Sequence, residues 1–144
     1  MTSVKEVMTK KVVVFNEEDS IQDIAKKMKD KGIGSILVTR NDQAVGIITE
    51  RDLVDKAVAS NLNAKETKAK QIMTTPLISI HSDADINYAS KIMGDKNIKK
   101  MPVVDGNKLV GIITQTDLAK FFTEQRKKFV LSHLGKDLKD QYPT

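Results

Sequence analysis

Two residues kept at one spacing in both halves of the chain carry the clearest chemistry. Thr49 and Asp52 lie in Gly46-Ile47-Ile48-Thr49-Glu50-Arg51-Asp52-Leu53. Thr114 and Asp117 lie in Gly111-Ile112-Ile113-Thr114-Gln115-Thr116-Asp117-Leu118. Each Thr-x-x-Asp follows an apolar run that reads as a strand and opens an amphipathic stretch that reads as a helix. A strand end leading into a helix start presents free backbone N–H groups and the positive end of a dipole, which suits a phosphate. A Thr hydroxyl there can donate to a phosphate oxygen. An Asp three residues on offers two acceptor oxygens to the paired hydroxyls of a ribose. The plain alternative is that Thr or Asp caps the helix. Retention of both residues amid differing neighbours favours a ligand role.

The elements around this motif recur with it. The second copy begins at residue 111 and the first at residue 46, an offset of 65 positions. The offset holds without gaps from Met8-Thr9 and Met73-Thr74 through Ile21 and Ile86, Met28 and Met93, Ile33 and Ile98, to Val38 and Val103. It is too long for a solenoid repeat and fits a duplicated small domain. Copies of about 60 residues have marginal cores alone, so they are expected to pack together and share one.

In each copy a short leading turn (Val4 to Met8, Ala69 to Thr74) precedes a strand, Val12 to Phe15 or Leu77 to Ile80. Cap-rich residues then start a helix. Ile21, Ile24, Ala25 and Met28 form its apolar stripe in the first copy, and Gly32 is placed to stop it. In the second copy Ser82 to Asp85 resembles a capping box ahead of Ile86, Ala89 and Met93. A hairpin follows: Ser35 to Thr39 with Ala44 to Ile48, or Met101 to Val104 with Lys108 to Ile113. A closing helix begins near Asp52 or Asp117, the latter running to Leu134 and stopping at Gly135. The polar stretch from Ser60 to Lys70 is the linker, and the tail past Gly135 is expected to fray. The division is residues 1–60, first copy; 61–70, linker; 71–123, second copy; 124–144, helix extension and tail.

Composition narrows the function. Cysteine is absent, which removes disulfides, thiolate nucleophiles and Cys-ligated zinc. With two His, His81 and His133, no metal spacing and no nucleophile–base pair can be assembled, so an enzyme is not expected. No P-loop occurs, and Gly32-Ile33-Gly34 is not a dinucleotide fingerprint because Leu37 stands where a third Gly is needed. No early stretch suits a signal peptide or membrane span, so a cytoplasmic protein is expected. The net charge of +5 comes mostly from lysine. Aromatics are 4% of the chain, with no Trp, and three of the four Phe sit near the C-terminus. A nucleic-acid stacking surface would need aromatics beside the basic residues; nucleic acid is therefore a possible partner but not the favoured one.

At these residues the chain resembles the CBS (cystathionine β-synthase) domain family, present as a tandem pair. The marks are the Met-Thr leading turns, Met101-Pro102-Val103-Val104-Asp105, and the two Gly-Ile-Ile-Thr-x-x-Asp-Leu segments. The resemblance implies an α+β fold: two tandem β-α-β-β-α repeats packed sheet to sheet about a pseudo-two-fold axis. It implies two clefts for adenosine ligands (AMP, ADP or ATP, with S-adenosylmethionine as a further candidate), no resident cofactor, and a homodimer. In one cleft Asp117 would hold the ribose, Thr114 and Thr116 the ribose-phosphate, and Lys99 and Lys100 the phosphates, with Thr9, Val14 and Ile33 walling the base. In the other, Asp52 would hold the ribose with Thr49 and Arg51 nearby, and Thr74, Ser79 and Ile98 would wall the base. Lys99-Lys100 align with Gly34-Ser35, which would make the Asp117 cleft the better phosphate site. Leu37 stands where the second copy has Pro102. The expected function is a stand-alone regulatory module that senses adenine nucleotide and signals to an unidentified protein; the alternative is a structural dimerisation or nucleic-acid-binding module.

Overall fold

The computed structural model describes residues 1–135. The tail expected to fray lies outside them. The described chain forms two three-stranded sheets, each flanked by helices. A single 3-10 turn, Val4–Glu6, leads into β1 (Val14–Asn16), α1 (Ile21–Lys31), β2 (Ser35–Arg40) and β3 (Gln43–Thr49). Next comes α2, Glu50–Asp52, which widens into a π-type stretch over Leu53–Val58. The second copy follows with α3 (Ala69–Ile72), β4 (Ile80–His81), α4 (Ile86–Lys96), β5 (Lys100–Asp105), β6 (Lys108–Thr114) and α5 (Gln115–His133). Among the described residues no helix is long and apolar enough to cross a membrane.

Local chemistry sets these boundaries. Ser20 caps α1 by accepting from the Asp23 N–H at 3.2 Å, and Ile21, Ile24 and Met28 put the apolar stripe inward. Gly32 ends α1 at φ 63°, and Asn97, in the same left-handed conformation at φ 53°, ends α4. In the first hairpin Asn41 and Asp42 form a two-residue loop, both with positive φ, as an I′ turn requires. Gly106 at φ 63° opens the matching loop in the second.

Each sheet has a parallel pair and an antiparallel pair, in the orders β1-β2-β3 and β4-β5-β6. The register repeats with the sequence offset. Ser35 pairs with Thr49 as Lys100 pairs with Thr114, and each hairpin has a bulge after the same residue, Val38 or Val103. The outer strands are shorter than the apolar runs suggest. β1 begins at Val14 and β4 at Ile80. The helix cap of the second copy also differs. Asp85 accepts from the Asn87 N–H at 2.9 Å, while the buried Ser82 uses its backbone to bond Val104 and Lys5.

The expectation of one shared core is corrected. Among the described residues there are two, one per sheet, and each includes the leading turn of the other copy. Val4 is fully buried among Ile86, Met93, Met101, Val103 and Ile113 of the second copy, with Val7 and Met8 packed against them. Ala69 and Ile72 are buried among Ile24, Ile36, Val38 and Ile48 of the first. Backbone bonds fix the exchange. Thr9 and Ile112 bond each other in both directions at 2.9 Å, and Thr74 and Ile47 do the same at 2.9 and 3.2 Å. Residues 1–9 therefore belong spatially to the second copy.

The linker is held as well. The Ile21 N–H donates to the Thr67 carbonyl, and the Ala69 and Lys70 N–H groups to those of Asp19 and Glu17. Glu18 accepts from both Lys68 and Lys70, and Arg40 pairs with Glu17 at 2.7 Å. The hydrogen bonds from Lys68 and then Lys70 hold the Glu18 carboxyl down to about 2. Because the folded value lies below the ordinary one of 4.5, the contribution is fully present above that value and is lost as pH falls toward about 2. The group is half exposed, so solvent screens it. Glu18→Gln is expected to flatten the fall of stability with acid in that window without removing it. Arg40 still holds Glu17 in the same sense. Chemical denaturation at stepped pH measures this. An unchanged slope would mean the linker clamp adds nothing.

Candidate functional site: two clefts between the copies

Both Thr-x-x-Asp segments are capping boxes in the folded chain. Thr114 ends β6 and caps α5, its Oγ1 accepting from the Asp117 N–H at 3.0 Å while Asp117 Oδ2 accepts from the Thr114 N–H at 3.1 Å. Thr49 and Asp52 do the same at 3.2 and 2.9 Å. The leading turns add a second hydroxyl. Thr9 Oγ1 donates to Asp117, 3.3 Å from each oxygen, and Thr74 Oγ1 donates to Asp52 Oδ1 at 3.0 Å. At Asp117 the cap and ligand readings are thus not exclusive: capping uses one carboxylate oxygen and leaves the other with acceptor capacity.

Two clefts flank the line where the sheets meet. One, of about 230 Å³, is lined by Thr9, Lys11, Val12, Val13, Ile33, Ser35, Lys100, Ile112 and Thr114, among others. The other, of about 470 Å³, is lined by Ser35, Ile47, Thr49, Glu50, Arg51, Ile98, Lys99 and Lys100, with Gly34 and Asn97. Their walls correspond under the repeat: Ile33 with Ile98, Ile112 with Ile47, Thr114 with Thr49. Ser35 and Lys100 are themselves equivalent positions, and Lys100 Nζ donates to Ser35 Oγ at 2.6 Å. The pseudo-two-fold therefore passes between them, which is why both residues face both clefts.

Of the residues expected in the Asp117 cleft, Thr9, Ile33, Lys100 and Thr114 line it. Val14 does not. It lies in β1, 44% exposed, beside α1, and Val12 and Val13 form the wall instead. Thr116 is exposed on the first turn of α5 and off the wall. Asp117 faces a separate hollow with Glu6, Val7, Lys120 and Phe121, and reaches the cleft through Thr9. Lys99 is also corrected: it lines the cleft of Thr49 and Arg51. In the second cleft Thr49, Arg51 and Ile98 gather as expected. Thr74 lies beside Asp52, off the wall, and Ser79 is exposed elsewhere. Asp52 is 7% exposed beneath the cleft.

The charges follow from these positions. Arg51, Lys99 and Lys100 face Glu50 in one cleft; Lys11 and Lys100 serve the other. The lysine pair therefore does not single out the Asp117 cleft for phosphate. Burial pushes the Asp52 carboxyl up, but the Thr49 N–H, the Lys56 ammonium and the Thr74 hydroxyl outweigh it and hold it below the usual carboxylate range. Sequence reasoning missed Lys11, Val12, Val13, Ser35 and Lys56. The alignment of Ser35 with Lys100 was the available signal for the axial pair. Among the described residues no three His, Asp or Glu side chains gather as a metal site would need.

The family model for the CBS domain matches twice, over residues 4–59 and 69–124. Protein MK0525 of Methanopyrus kandleri is 40% identical over 136 residues, 88% of this chain and 69% of that protein. The CBS domain-containing protein YhcV of Bacillus subtilis is 34% identical over 83% of this chain and 84% of its own length. Other relatives are longer, with the chain spanning 33% and 39% of two of them. Among solved structures, the CBS domain pair of protein MJ0100, in complex with 5′-methylthioadenosine and S-adenosyl-L-methionine, is similar with a TM-score of 0.76 and 30% identity. The match covers 87% of this chain and 98% of that one.

Proposed function

We infer that this chain, which belongs to the CBS domain family as a tandem pair, binds an adenosine-containing ligand between its copies and passes its occupancy to a partner protein. One observation carries this reading: an apolar wall (Val13, Ile33, Ile112), a cation (Lys100) and a hydroxyl at the start of a long helix (Thr114) converge on one cleft. A purine would lie against the apolar wall. An anionic or sulfonium-bearing tail would extend toward Lys100 and the free N–H groups of α5. Asp117, with Thr9 on it, would take ribose hydroxyls. The complex of MJ0100 with two adenosine compounds supports this ligand class and leaves AMP, ADP, ATP and S-adenosylmethionine as the candidates to separate.

The reading is of a binding module rather than an enzyme, with an exchangeable ligand and no resident cofactor. Output then passes through a second copy or a regulated protein. α5 is the surface proposed for it, because Phe122 and Phe129 are 37% and 64% exposed. The test is calorimetric titration with those four ligands, on the unaltered protein and on Asp117→Ala. Saturable binding is expected, weakened about tenfold or more by the variant, as loss of hydrogen bonds to a charged group implies. Absence of heat with all four ligands, from folded protein free of co-purified ligand, would reject the reading.

A further inference from the structure

The two aspartates are equivalent in sequence and unequal in the fold. Both oxygens of Asp52 are taken. Oδ2 accepts from the Thr49 N–H and hydroxyl at 2.9 and 3.1 Å, and Oδ1 from Thr74 Oγ1 and Lys56 Nζ, both at 3.0 Å. The Lys56 ammonium is satisfied in turn. Besides Asp52 it reaches the Ile72 carbonyl at 3.0 Å and Thr74 Oγ1 at 3.2 Å, three acceptors for three protons. Sixty-five positions on, the residue is Phe121. Among the described residues no ammonium pairs with Asp117; it has the Thr114 N–H and the long, shared contact from Thr9. Lys56 also lies in the widened stretch Leu53–Val58, where the Ala59 N–H reaches back to Val54. The matching part of α5 is regular helix.

We propose that Lys56 is a built-in occupant of the Asp52 carboxylate that makes the two clefts unequal, so that ligand hydroxyls engage Asp117 first and reach Asp52 only by displacing the lysine. This rests on the adenosine-ligand reading above. Both kinds of donor bond the charged carboxylate, but a hydroxyl is neutral, while the ammonium adds the attraction of an opposite charge at 3.0 Å. The ligand must replace the stronger partner with the weaker. Displacement also releases Lys56 from the Ile72 carbonyl at the end of α3. Filling the second cleft therefore loosens the tie between the closing turn of the first copy and the leading turn of the second. The Asp52 cleft answers a higher ligand concentration than the Asp117 cleft and carries its own structural consequence.

The experiment is titration calorimetry with AMP and, separately, S-adenosylmethionine. It compares the unaltered protein, Lys56→Met, Lys56→Met with Asp52→Asn, and Phe121→Lys. The unaltered protein is expected to show one strong and one weak site. Lys56→Met is expected to tighten the weak site about tenfold, the worth of one charge-assisted bond, and Asp52→Asn to undo that gain. Phe121→Lys places an ammonium beside Asp117 and is expected to weaken the strong site, so the proposal does not hang on one variant. Carboxylate titration by NMR gives a second readout: in Lys56→Met the Asp52 pKa rises. Two equal sites in the unaltered protein, or an Asp52 cleft indifferent to Lys56→Met with the variant folded, would overturn this proposal and leave the ligand reading standing. No binding of either compound to any variant would overturn both.

Discussion

Ile113→Ala is expected to lower stability by about 2–5 kcal/mol, the usual cost of emptying a fully buried aliphatic site. Ile113 is 0% exposed on β6, packed with Val4, Met93 and Met101. Ile48→Ala should cost about the same in the other core, where Ile48 is likewise 0% exposed. The pair tests how the halves are joined. The two cores share no buried residue, so the double variant should lose the sum of the single losses to within about 0.5 kcal/mol. Unfolding should nonetheless remain one transition in every variant, because each core contains the other copy's leading turn. Denaturant unfolding followed by two probes measures both points. Two separated transitions would mean the exchanged turns do not couple the halves.

Gly111→Ala carries the second large effect, expected at about 1–3 kcal/mol and exceeding that of Gly46→Ala. The repeated Gly of Gly-Ile-Ile-Thr lies beneath the leading turn of the other copy. A Cβ on Gly111 would lie 2.6 Å from Met8 Sδ and 2.8 Å from the Thr9 carbonyl oxygen. On Gly46 the three nearest atoms all belong to the Met73 side chain, Sδ at 2.7 Å, Cγ at 2.9 Å and Cβ at 3.1 Å, with no backbone atom as near. Methionine has three rotatable bonds and can withdraw. The Thr9 carbonyl is fixed by the Ile112 N–H and cannot withdraw without breaking that bond. Thermal melts of the two variants rank them. Equal losses would mean that the backbone contact gives way as easily as a side chain.

Much of this fold was legible because its signals are local. Ile21, Ile24 and Met28 mark a helix face, Gly32 its end, and Asn41-Asp42 and Gly106 the hairpin loops. The gapless offset fixes the duplication. The exchanged leading turns were not legible, since no local pattern tells Met8 and Val4 which sheet to join. The small repeated Gly is the trace they leave in sequence. In the site, Lys99 and Lys100 were placed together because they are adjacent. Successive side chains entering a strand point to opposite sides, so β5 sends Lys99 to one cleft and puts Lys100 on the axis. Val14 failed in the same way: Val12 and Val13, ahead of the strand proper, take the wall. Asp52 and Asp117 looked alike because the motif ends one residue after Asp; the difference sits one helical turn later, at Lys56 and Phe121.

The most direct test of an adenosine ligand between the copies is the change in backbone amide NMR shifts as AMP or S-adenosylmethionine is added. Saturable changes gathered at Thr9, Ile33, Ser35 and Thr114, with α1 and the linker unmoved, are the expected result. No saturable change, or changes spread over the lysine-bearing face of α1 instead of the cleft walls, would contradict it.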